Sequence, residues 1–224
     1  DELKRRTLEG TLEFDVVANG LDALTKAPPR DLAEEWRAEM EKWYRGLGFT
    51  ELAMPKPAVS NREFGKRAKA GQALFYRPAT AQVSYEAFMT AKGQGQHWTV
   101  IDSAERAKIV WEPAAKGYWF WAEVPKACPR LKMPWNSLTK AITLLALEEY
   151  VVVWWAMKAQ GTVLDKSTWT WLRTRHQVAP GRLGALGAYE YEGGVYVFRV
   201  EPGSLACAVV SHGGRLAEVV QAVA

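Results

Sequence analysis

Between Lys56 and Arg77 the chain sets the cations Lys56, Arg62, Lys66, Arg67, Lys69 and Arg77 among the rings of Phe64, Phe75 and Tyr76. Lysine and arginine neutralise phosphates and aromatic rings stack on unpaired bases, so together they suit single-stranded DNA or RNA. In this reading Arg67 and Lys69 hold phosphates while Phe75 or Tyr76 stacks. A solvated basic helix is the competing reading of the same charges. The net charge of +4 and pI of about 9.0 permit a polyanionic partner without requiring one.

Enzymatic chemistry finds less support. His97, His176 and His212 are scattered, with no H-x₃-H or H-E-x-x-H spacing, and the two cysteines Cys128 and Cys207 form no CxxC pair, so neither metal nor cofactor is expected. No GxxxxGK[ST] or G-x-S-x-G motif occurs, and Gly93 and Gly95 lack the third glycine of a dinucleotide loop. Ser211-His212-Gly213-Gly214 reads as a turn between two elements. A metal-dependent nuclease would use an acid and an E-x-K pair on adjacent strands. Asp102 and Glu123 fit that pattern, but Lys126 follows Glu123 by three positions with Pro125 between, which breaks the alternation placing both side chains on one face.

Glu149 stands apart. At about 100° per residue it falls among Ile142, Leu145, Val152, Val153 and Ala156, on a face that reads as core. It is a helix break, a carboxylate paired with a buried arginine, or a functional acid. Its segment, residues 136–160, is the longest apolar-rich run in the chain. Asn136 or Ser137 offers an N-cap and Gly161 a stop, so the segment is expected to form one helix despite Val151, Val152 and Val153. Glu148 and Glu149 at its middle argue against a membrane span.

Around it, residues 11–17 alternate as a strand before the Asn19-Gly20 turn. From Asp31, the residues Leu32, Trp36, Met40, Trp43 and Leu47 recur at helical spacing, and Gly46 and Gly48 end the helix. Ser60 with Glu63 is a capping box for a short helix closed by Gly71. Residues 80–92 fit helix or strand. Strands are expected at 97–101, 107–112 and 117–124, rich in tryptophan. After Gly161, Ser167 or Thr168 caps a short helix carrying Trp169, Trp171 and Leu172, with Arg173, Arg175 and His176 at its end. Residues 177–188 read as a glycine-rich loop. The tail forms strands at 188–192, 195–201 and 205–211, then a strand or short helix from Arg215.

The fold class is therefore α+β: a mainly antiparallel sheet packed against one or two long helices, with an N-terminal helical part. A boundary near residues 93–96 divides a basic part, 1–95, from an α+β part, 96–224, unless the central helix joins them as one domain. The expected function is a non-enzymatic nucleic-acid-binding protein, soluble and cytoplasmic, with no membrane association. The alternative is an assembly protein whose aromatic strands at 97–124 contact a second copy, another protein or a carbohydrate. Whether Cys128 and Cys207 are bridged is left open by the sequence.

Overall fold

Helical periodicity in residues 32–46 produces the first element, and the rest of the fold grows on the side it buries. The computed structural model describes residues 30–84, 87, 88, 91, 107–191, 194–200 and 212–220. Contacts separate residues 1–31 from 32–224, and the architecture below is that of the second unit. Helix α1 (Leu32–Gly46) buries Met40 and Tyr44 and leaves Trp36 and Trp43 partly covered. In α2 (Asn61–Lys69), Ser60 Oγ accepts from the Glu63 N–H at 3.2 Å, one half of the expected capping box. Gly71, at φ +73°, turns the chain out of the helix into β1 (Gln72–Arg77).

β1 lies antiparallel to β3 (Tyr118–Glu123), which lies antiparallel to β8 (Ala217–Val220). Trp119, Phe120, Trp121 and Ala122 of the central strand are all buried. On one face Trp121 meets Phe64 of α2 edge-on at 5.6 Å; on the other, Tyr118 turns to the central helix. Both faces are covered. The part of the expected aromatic interface that β3 supplies is therefore core. The expected strand at 97–101 lies outside the described residues.

The single helix expected over 136–160 is two shorter ones, α3 (Trp135–Ala141) and α4 (Leu147–Ala159). The interval 142–146 is extended because neighbouring chain supplies its hydrogen bonds: Arg173 N donates to Leu145 O, and Ala217 N to Thr143 O, at 2.9 and 2.8 Å. α4 then restarts with Glu149 Oε2 accepting from Ala146 N and Thr174 Oγ1 from Leu147 N. It is buried from Leu147 through Met157 except at Glu148, so packing on every side holds Val151–Val153 in a helix against their strand preference.

A second sheet runs β2 (Ile109–Val110), β4 (Trp169–Ala179), β5 (Arg182–Tyr191), β6 (Gly194–Val200), antiparallel throughout. This corrects two expectations. The short helix at 168–176 is strand β4, and the glycine-rich loop at 177–188 is a hairpin closed by Pro180-Gly181, with Gly181 at φ +72°. Glycine persists inside β5 because a Cβ at Gly187 would lie 2.2 Å from the Phe198 ring. Within the turn expected at 211–214, the described residues form β7 (His212–Gly214), which pairs parallel with β4, and side chains at Gly213 and Gly214 would strike Pro129 O and Leu144.

The chain thus has helices and mainly antiparallel sheets, an α+β arrangement with short helices in place of long ones. Strands from both sides of residues 93–96 share the first sheet. That boundary, the strands expected at 11–17 and 205–211, residues 85, 86, 89, 90 and 92 of the segment 80–92, His97, Asp102 and Cys207 fall outside the described residues. Among the described residues no helix is long and apolar enough to cross a membrane.

Candidate functional site

The cations that read as one cluster in sequence divide between surface and interior. Lys56, Arg62, Lys66 and Lys69 are exposed. Arg62, Lys66 and Lys69 follow i, i+4, i+7 spacing, which places them on one stripe of α2. Arg62 and Lys66 border a shallow groove that also includes Ser60, Glu63, Arg67 and Gln72. Arg67 is clamped instead. Its two terminal nitrogens donate to Glu218 at 2.6 Å each, one also reaches Gln72, and the guanidinium lies 5.7 Å over the Trp121 ring. The clamp raises the Arg67 pKa through the Glu218 hydrogen bonds and lowers that of Glu218.

Phe75 and Tyr76, the expected stacking rings, lie in the core, Phe75 beside Phe120 and Tyr76 beside Trp119. Neither presents a face to a base. β1 pairs its whole length with β3, and both faces of that sheet are covered. Arg77 is also internal. It donates to Tyr118 OH at 2.9 Å, to Glu148 Oε1 at 3.0 Å and to the Glu112 carbonyl.

The structure thus leads from Arg77 to a carboxylate network that holds Glu149. Arg173 grips both Glu149 oxygens at 2.7 and 2.8 Å, Tyr118 OH donates at 2.5 Å, and Ala146 N supplies a fourth bond. The structure contains a carboxylate–arginine pair, in which Glu149 is buried but Arg173 is only partly so. Arg173 also reaches Glu112 at 2.8 Å. Burial works against its charge, but the bonds to Glu149 and Glu112 prevail and raise its pKa. Burial and the adjacent Glu149 push the Tyr118 phenol up to about 12, so it remains a donor at neutral pH.

No family model, curated protein or solved structure matches the chain. Its chemistry is read from its own groups.

A second arginine–carboxylate pair is buried throughout. Arg215 and Asp165 meet at 2.6 Å with both side chains fully buried. Asp165 also accepts from Tyr150, Thr168 and Thr170, and Arg215 donates to Glu123 O. The positive φ of Asp165, +56°, is one that aspartate adopts more readily than most residues. Beside it Cys128 is a free, buried thiol, with burial and the Asp165 charge pushing its pKa up to about 12. That removes it from nucleophilic chemistry at neutral pH.

Glu123, of the nuclease triplet, is engaged by Arg130 and by Leu216 N at 2.9 Å, while Lys126 is exposed. Burial opposes the Glu123 charge, but those bonds win and lower its pKa. Among the described residues no group of three or more His, Cys, Asp or Glu is placed to hold a metal ion. Sequence reasoning singled out Glu149 and missed Glu148, Asp165 and Arg215. The signal for Asp165 and Arg215 was absent, since fifty positions separate them; Glu148 was adjacent to a residue already flagged.

Proposed function

We propose that the chain is a non-enzymatic binding protein that contacts nucleic acid through phosphates at Lys56, Arg62, Lys66 and Lys69. What supports the reading is the exposed stripe of Arg62, Lys66 and Lys69 on a helix with no buried residue. At about 1.5 Å rise per residue the stripe is about 10 Å long, which matches about three phosphates of one strand. Arg67 serves the fold through Glu218 and positions this helix on the sheet. With Phe75 and Tyr76 internal, the interaction is electrostatic and has no stacking component. Preference for single strands over duplex is therefore expected to be weak.

The test is fluorescence polarisation with labelled single-stranded DNA, RNA and duplex DNA at about 50 and about 200 mM salt. Similar affinities for all three, falling steeply with salt, are expected. Alanine at Lys56, Arg62, Lys66 and Lys69 should weaken binding to each polymer and reduce the salt slope by about one per phosphate contact removed. Absence of binding at low salt, or unchanged affinity in the fourfold variant, would overturn the proposal.

A further inference from the structure

Behind Arg77 lies a cavity of about 130 Å³. Its walls are apolar: Tyr44, Val83, Phe88, Trp111, Val151 and Val152. Its polar side chains are mostly engaged within the protein. Tyr44 OH donates to Tyr76 O at 2.8 Å, Thr80 Oγ1 accepts from Ala114 N at 2.8 Å, and Ser84 Oγ accepts from Ala87 N at 3.1 Å. Glu148 also lines the cavity, and it differs. Its Oε1 takes the bond from Arg77, whereas its Oε2 is buried and makes no hydrogen bond.

Charge points the same way. In the surrounding network the guanidinium groups of Arg77 and Arg173 face the carboxylates of Glu112, Glu148 and Glu149, which leaves one negative charge in excess. Glu149 has both oxygens occupied by donors. The unanswered acceptor is Glu148 Oε2. A group that completes the site must bring a positive charge, hydrogen-bond donors and an apolar body. A cavity of this size accommodates a molecule of about benzene dimensions.

We infer that this cavity is a binding site for a small aryl or branched-alkyl amine, its ammonium group bound by the Glu148 carboxylate, which turns its unpaired oxygen toward the cavity, and its apolar body held by Phe88, Trp111, Val151 and Val152. Burial raises the Glu148 carboxyl pKa, with Arg77 partly offsetting this and Glu112 and Glu149 adding to it. A bound cation would favour the ionised form. The inference concerns a different surface from the phosphate contacts and stands independently of them.

The experiment is calorimetric titration of the full chain at pH 7 with benzylamine and its neutral analogues benzyl alcohol and toluene. Benzylamine is expected to bind most tightly. Glu148→Gln should lower its affinity about tenfold or more, the scale of one charge-assisted hydrogen bond, and leave toluene unaffected. Val152→Phe, which fills the cavity, should abolish binding of all three. A circular-dichroism melt of each variant distinguishes lost binding from lost folding. Equal binding of amine and neutral analogues, benzylamine affinity unchanged in a folded Glu148→Gln, or no binding of any ligand would overturn the inference.

Discussion

Asp165 and Glu148 each meet an arginine inside the protein, and they are finished differently. Asp165 has both oxygens occupied, by Arg215, Tyr150, Thr168 and Thr170, and pair and neighbours are sealed from solvent. Glu148 shares one oxygen with Arg77, leaves the other without a donor and borders a cavity. Burial differs modestly between them, the Glu148 side chain keeping 15% of its surface and Asp165 none. Completeness of hydrogen bonding separates them: a satisfied carboxylate is a structural fastening, and an unsatisfied one is a place where something else can bind.

The most severe way to test this contrast is at the closed pair. Arg215→Met leaves Asp165 buried without its counter-charge, and a loss of about 3–5 kcal/mol in urea unfolding is expected. A loss below about 1 kcal/mol would remove the distinction, since the pair would then be dispensable.

A smaller effect, visible only through pH, is expected at the open carboxylate. The folded-state pKa of Glu148 is raised, chiefly by burial, so its favourable contribution is complete below the unfolded pKa and is lost as pH rises through the folded one. Relative to Glu148→Gln, the unmodified protein should therefore lose stability as pH rises from the ordinary glutamate value, about 4.3, through the raised folded-state one. Parallel urea midpoints across that range would show that Glu148 is as well satisfied as Asp165.

The smallest effect belongs to the exposed clamp, where solvent screens the charges. Arg67→Ala should cost about 0.5–1 kcal/mol at neutral pH. Because Arg67 depresses the Glu218 pKa, that stabilisation is present above the unfolded carboxylate pKa and disappears as pH falls through the folded one. Chemical denaturation at about pH 7 and about pH 3 should show the gap closing. A gap that stays open in acid would assign the effect to the packing of Arg67 on Trp121 rather than to charge.

Local signals made part of this fold legible. The period of Leu32, Trp36, Met40 and Trp43 marks α1, and Ser60, Glu63 and Gly71 bracket α2, because caps and helical stripes are set by residues within a few positions of one another. The strand at Tyr118–Glu123 and the 188–200 hairpin were likewise readable from alternation and turn glycines. Residues 169–179 also alternate, Thr170, Leu172, Thr174 and His176 being buried, but the arginines suggested a helix end and masked the pattern. Glu149 was visible as an anomaly because a charge on an apolar face is a local contradiction.

The sequence by itself determined the α+β class, the amphipathic helices and the basic character of residues 56–77. The tertiary structure decided the break at 142–146, whose hydrogen bonds come from residues 173 and 217. It also decided which charges face water. Lys66 and Lys69 remain outside while Arg67 and Arg77, in the same stretch, are taken by Glu218 and Glu148. Those partners lie 151 and 71 positions away. Whether a cation is a ligand site or a fastening depends on a counter-charge that no local pattern encodes, because only folding brings the two together.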